Sequence, residues 1–173
     1  MQKYAISMRI LHWVTGLMII GLFAVGLWMR NLSYYDSLYQ VLPFWHKSVG
    51  FLLVLLVLLR LVVRFSTQRP AALSSHPPWE RVLASATVWL LYGLLFVMFI
   101  SGYLIATADD RPAPFFGLFD VPVLINAFAN QEDVAGVWHE YAGWALIGLS
   151  GLHALAALKH HFLDKDVTLK RML

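Results

Sequence analysis

An all-α integral membrane bundle of four helices, with both termini in the cytoplasm, is the fold class this sequence predicts. Three observations predict it. Hydrophobic residues make up 60% of the chain and charged residues 13%, whereas soluble domains run nearer half apolar and a quarter charged. Four apolar runs, roughly 6–29, 45–65, 82–106 and 134–162, each reach the ~20 residues that cross a bilayer as helix. The flanking charges are lopsided: Lys3, Arg9, Arg60, Arg64, Arg69, Arg81, Lys159, Lys165, Lys170 and Arg171 fall on the side of the termini, against Arg30, Lys47 and Arg111 opposite. That bias marks the side of the termini as cytoplasmic.

The elements follow in order. Lys3 and Arg9 give the first run the look of a secretory signal, but its apolar core is too long and no small-x-small cleavage site follows "VGLWMRNLSYYD", so it is expected to stay as the first helix. None of the runs has the polar face of a soluble bundle's helix. Residues 107–133, rich in Pro, Gly and aromatic side chains, are expected to fold as a cap at the outer face. No repeat, low-complexity tract or linker divides the chain, so 1–173 reads as a single domain. The net charge of +3 is accounted for by the cytoplasmic flanks and needs no nucleic-acid partner, while the apolar runs imply a lipid bilayer as partner.

The chain has no cysteine, which excludes disulfides, thiolate metal sites, iron–sulfur clusters and covalent c-type haem. Whatever its histidines bind is held through imidazole nitrogen. Ionisable residues inside a membrane are costly and mark function, and His12, His46, His139 and His153 stand out. His139 and His153 lie fourteen residues apart on the fourth run. That is just short of four helical turns, so both leave one face, ~21 Å apart along the axis. The distance is too great for one ion and suits two sites stacked across the membrane. Helix direction then pairs them by depth, His12 with His153 on the inner side and His46 with His139 on the outer.

Small residues follow these histidines at i+4: Gly16, Gly50, Gly143 and Ala157. Such a residue covers the same helix face, and its lack of bulk clears a flat space beside the ring. Close helix packing also uses small residues, but their recurrence beside all four histidines favours a haem macrocycle. Two imidazoles per iron leave no open position, the arrangement of an electron carrier. Arg9, Arg60 and Arg64 are candidates for the inner propionates, or simply positive flanks. His160 shares the face of His153 at the inner boundary and is a candidate to bind a quinone carbonyl or pass it a proton. His161 points elsewhere and His76 reads as a loop residue. Trp13, Trp28, Trp45, Trp79 and Trp138 suit interfacial belts. Lys47, Arg30 and Arg111 could draw an anion to the outer site.

The pieces "ILHWVTGL", "HKSVG", "RLVVRF", "WHEYAGWALIGLSGLHALAALKHHF" and "DKDVTLKRM" resemble the bacterial cytochrome b-561 family, multi-pass proteins of the inner membrane with two b-type haems. The resemblance covers all helices except the third. It implies two non-covalent haem b groups on His12 with His153 and on His46 with His139. It also implies oxidoreductase activity like that of a superoxide oxidase, with superoxide giving its electron at the periplasmic face and ubiquinone reduced near the inner haem, beside His160. The inner loop lacks a Lys- and Pro-rich run, and the third helix, "VLASATVWLLYGLL", lacks histidines found in a relative. The alternatives are a cytochrome b subunit linking quinone to a periplasmic dehydrogenase or reductase, and a metal transporter. The ~21 Å separation and the want of intramembrane carboxylates, Glu140 lying at a helix end, argue against transport.

Overall fold

A computed structural model describes residues 1–73, 75–125 and 128–173, apart from the Asp109 side chain. It is a four-helix integral membrane bundle: α1 (Ile6–Met29), α2 (Val41–Ser66), α3 (Pro78–Ala106) and α4 (Gln131–Phe162). The helices hold 24 to 32 residues, or about 36 to 48 Å at ~1.5 Å per residue, enough to cross ~30 Å of hydrocarbon. All four are long and apolar enough to span a membrane, and at most 17% of each span's apolar window is buried. Leu17, Leu55, Val62, Phe96 and Leu155, all exposed, form part of the surface left for lipid.

Three helices begin three or four residues before the apolar runs do. Pro78 occupies the first turn of α3, where its fixed φ suits a helix and its missing N–H costs nothing. Glu80 in that turn, and Glu132 and Asp133 in the first turn of α4, face the positive end of the helix dipole. In α3 and α4, polar and proline residues therefore extend the helix where hydropathy alone stops, whereas α2 gains the apolar Val41, Leu42 and Phe44 around Pro43.

α1 lies against α2 and α3 lies against α4 over much of their lengths, while contact between the two hairpins is sparser. Leu53, Val57, Tyr92, Leu95 and Leu146 make the buried core, with Met18, Ile19 and Leu22 packed on it. Both termini lie at one end of the bundle. There Tyr4 N–H donates to the Arg171 carbonyl at 3.1 Å, the Trp13 indole to that of Met172 at 2.9 Å, and Arg171 Nη1 to that of Ala71 at 2.7 Å. The C-terminal tail thus straps the start of α1 to the α2–α3 connection.

At the opposite, loop end, β1 (Ala113–Phe115) and β2 (Phe119–Val121) form a small antiparallel hairpin within the segment expected to fold as a cap. Its turn has positive φ at Phe116 and Gly117, the mirror-image geometry that matches strand twist. Ser48, fully buried two residues after His46, anchors it by donating to the Pro114 carbonyl and accepting from Phe116 N–H at 3.0 Å.

Candidate functional site

The gap between the two helix hairpins is bridged at two levels by histidines. His46 on α2 faces His139 on α4 at the loop end, and His12 on α1 faces His153 on α4 at the termini end. Each pair has ring centres 6.3 Å apart with planes crossed by about 70°. A metal–imidazole bond of about 2.0–2.1 Å plus the radius of the ring places the centres of two imidazoles on opposite sides of one iron about 6.3–6.5 Å apart. A tetrahedral ion would draw them to about 5.2 Å. Among the described residues no third His, Asp or Glu joins either pair as a possible ligand. The spacing therefore fits two axial ligands of a haem better than part of a closed metal site.

The loop-end pair opens on a cavity of about 790 Å³ between the hairpins, lined among others by Gly26, Gly50, Gly102 and Gly143. A Cβ at Gly50 would meet nothing within 4 Å, and one at Gly143 only the ends of Met98 and Phe23. These are two of the small residues expected to clear space beside the rings. Gly16, at the other level, is equally open. Gly26 and Gly102 work differently: a Cβ there would stand 3.5 Å from His46 Cε1 and 3.1 Å from His139 Cε1. Their missing side chains let the rings approach α1 and α3 closely.

Second contacts orient one of the rings. Ser101 Oγ donates to the Val97 carbonyl at 2.6 Å, which leaves its lone pair to accept from His139 Nδ1–H at 3.0 Å. With the proton fixed on Nδ1, Nε2 is bare for a metal, the usual arrangement of an iron-ligating histidine. His46 Nδ1 is buried without a hydrogen-bond partner among the described residues. An orphaned ring nitrogen is costly in apolar surroundings, and it leaves this imidazole's bonding incomplete. Arg30 pairs with Glu140 at the rim of the cavity, so it is engaged rather than poised to draw an anion.

At the termini end, Arg60 reaches between α1 and α3. Its Nη1 donates to Thr15 Oγ1 at 3.1 Å and its Nη2 contacts His12 Nδ1 at 2.8 Å. Its Nε and the Tyr92 hydroxyl beneath it are buried without partners among the described residues. A guanidinium only donates, so ligation by His12 through Nε2, with its proton on Nδ1, requires Arg60 to let the ring go. An acid group of a bound macrocycle would then suit this cation.

His160 sits at the last turn of α4, seven residues beyond His153, and His76 corrects the reading of it as a mere loop residue. The His76 ring stacks on His160 with centres 4.5 Å apart, and its Nε2 lies 2.6 Å from Asp166 Oδ2. Burial would raise the Asp166 carboxyl, but the Thr168 amide and His76 outweigh it and hold the group at about 2. The sequence carried hints of what was missed here: a Ser–Gly pair inside the apolar third run and acidic residues in the tail.

A membrane bundle with paired imidazoles between its helices defines a class, the b-type membrane cytochromes. The Prokaryotic cytochrome b561 family matches residues 3–173, and the chain belongs to that family. Membership brings haem b binding and electron transfer in a bacterial membrane. Among its relatives, "Cytochrome b561 homolog 2" of Escherichia coli (strain K12) is 45% identical over 172 residues, covering 99% of this chain and 92% of that protein. "Cytochrome b561 homolog 1" of the same organism is 27% identical, covering 100% and 98%. "Probable superoxide oxidase CybB" of Yersinia pestis is 27% identical, covering 99% and 96%.

The Ser101 contact has a measurable consequence. Ser101→Ala is expected to weaken haem retention at the loop-end level by roughly tenfold or more and to raise that haem's midpoint potential, because an imidazole relieved of its acceptor donates less charge to iron. Redox titration of the purified protein, with haem per polypeptide, checks this. An unchanged loop-end potential would deny Ser101 this role.

Proposed function

We propose that the protein is a superoxide:ubiquinone oxidoreductase of the bacterial inner membrane, with the termini end in the cytoplasm. Two superoxide ions each give up one electron at the loop end, facing the periplasm, and leave as dioxygen. One ubiquinone at the termini end takes both electrons with two protons and leaves as ubiquinol. Haem b, when bound, supplies the one-electron redox chemistry, and this chain's residues position it and handle protons. His46 with His139, and His12 with His153, would hold two such groups.

The observation that carries this reading is the repetition of one 6.3 Å imidazole spacing at two levels of α4, ~21 Å apart along the helix. Such a pair of stations supports electron flow across most of the membrane. The relative named a probable superoxide oxidase supports the choice of donor. His160, one further step along the same face and close to the carboxylates of Asp164 and Asp166, would deliver protons to ubiquinone. Arg60 would pair with an acid group of the haem at its level.

The test is ubiquinol formation driven by a superoxide-generating system in proteoliposomes. His160→Ala is expected to keep both haems and slow ubiquinol formation by roughly 10²-fold, the usual scale of lost general acid catalysis. Unchanged quinone kinetics would remove His160 from the site. A second reading, a cytochrome b subunit serving a periplasmic dehydrogenase or reductase, is favoured by the exposed apolar side chains of the loop end, among them Tyr35, Leu118 and Leu124. A stoichiometric partner that copurifies and reduces the protein, with no response to superoxide, would select it.

A further inference from the structure

Apart from the two histidine pairs, the densest set of donor side chains lies where the start of α3, the end of α4 and the tail meet. His76, Glu80 and His160 offer ligand atoms that all lie within 4.8 Å of one another, and His160, Asp164 and Asp166 form a second such set. Asp166 Oδ2 is 2.6 Å from His76 Nε2 and 3.3 Å from His160 Nδ1, and Asp164 Oδ2 is 2.8 Å from the same nitrogen. Donors around a tetrahedral ion with bonds of about 2.0–2.1 Å stand about 3.3 Å apart. The His160–Asp166 separation of 3.3 Å matches that, while the His76–Asp166 contact at 2.6 Å is a hydrogen-bond distance that would lengthen around an ion.

Two further observations point to a cation. His160 Nδ1 is buried and lies beside two carboxylates, yet has no hydrogen bond of acceptable geometry among the described residues. The group also carries an excess of negative charge. Glu80, Asp164 and Asp166 face one ammonium, Lys159, whose Nζ lies 3.3 Å from Glu80 and 2.8 Å from Asp164. The carboxylates thus outnumber the ammonium by two, Glu80 and Asp166 half-buried and Asp164 exposed, an arrangement that one divalent ion would offset. A cavity of about 320 Å³ lined by His76, Glu80, Lys159, Asp164 and Asp166 gives it room. Mixed imidazole and carboxylate donors suit zinc among divalent ions.

We infer that His76, Glu80, His160 and Asp166 form a binding site for a divalent ion of the zinc class at the termini end of α4. The ion takes the place of the contacts Asp166 now makes with both rings and displaces Lys159 from Glu80, and the stacked rings open around it. A bound ion occupies His160 and so blocks its proton transfer. That effect, unlike the binding itself, rests on the function proposed above.

The experiment uses the untagged haem-loaded protein in detergent, stripped with chelator and titrated with Zn²⁺ by equilibrium dialysis. One saturable zinc per chain is expected, and X-ray absorption should give nitrogen and oxygen ligands only. His76→Ala and Glu80→Gln should each weaken binding at least tenfold, with His161→Ala unchanged and the haem spectrum of every variant reporting its fold. Absence of saturable zinc, or binding indifferent to both substitutions, overturns the site. Zinc that binds as expected while ubiquinol formation runs on unchanged upholds the site and counts against His160 in quinone reduction.

Discussion

His139→Ala is expected to leave a protein with one haem in place of two, the loss falling on the loop-end level, while His153→Ala loses the haem of the termini end instead. The reason is geometric. Each level joins α4 to a different helix of the first hairpin, His139 to His46 on α2 and His153 to His12 on α1. Removing one imidazole leaves its partner a single weak hold, while the other level, ~21 Å away along α4, keeps both of its ligands. The core between them, built on Leu53, Val57, Tyr92, Leu95 and Leu146, does not depend on either ring. Haem per polypeptide and the low-temperature absorbance of each variant check the pairing. Loss of the same haem from both variants would refute it.

Gly50→Leu is expected to expel the loop-end haem as completely as loss of a ligand does, without disturbing the rest of the fold. A Cβ at Gly50 meets nothing within 4 Å, so the polypeptide itself tolerates the larger side chain. That side chain instead takes up part of the cavity beside His46, which Gly50 lines. Gly93 supplies the control, since a Cβ there also meets nothing but the residue is exposed and does not line that cavity. Gly93→Leu should therefore keep both haems. Full retention of the loop-end haem in Gly50→Leu would mean that the cavity serves another purpose.

Much of this architecture was legible in the sequence because the membrane simplifies the reading. Long apolar runs announce α1 to α4, and in such runs a histidine is conspicuous. The fourteen-residue interval between His139 and His153 fixes their common face by helical geometry alone, and the structure brings all four histidines together in the expected pairs. The helix starts were less legible. Pro78 and Gln131 open their helices among polar and proline residues, where hydropathy is silent and first-turn chemistry decides, and Val41 starts α2 ahead of Pro43, which interrupts the apolar run. Contacts made by residues distant in sequence were hidden altogether. Ser101 and Gly102 act on His139 across the α3–α4 contact, Gly26 acts on His46 from α1, and His76 finds Asp166 across 90 residues. No periodicity relates those partners. Arg30 reads from sequence as a free charge, and only the packing of α1 near α4 gives it Glu140.

The central claim, two imidazole-held haems stacked along α4, is tested most directly by purifying the protein in mild detergent and measuring its reduced-minus-oxidised spectrum together with haem per polypeptide. Two low-spin b haems per chain are predicted. A single haem per chain, or a high-spin spectrum with an open iron position, would contradict the account.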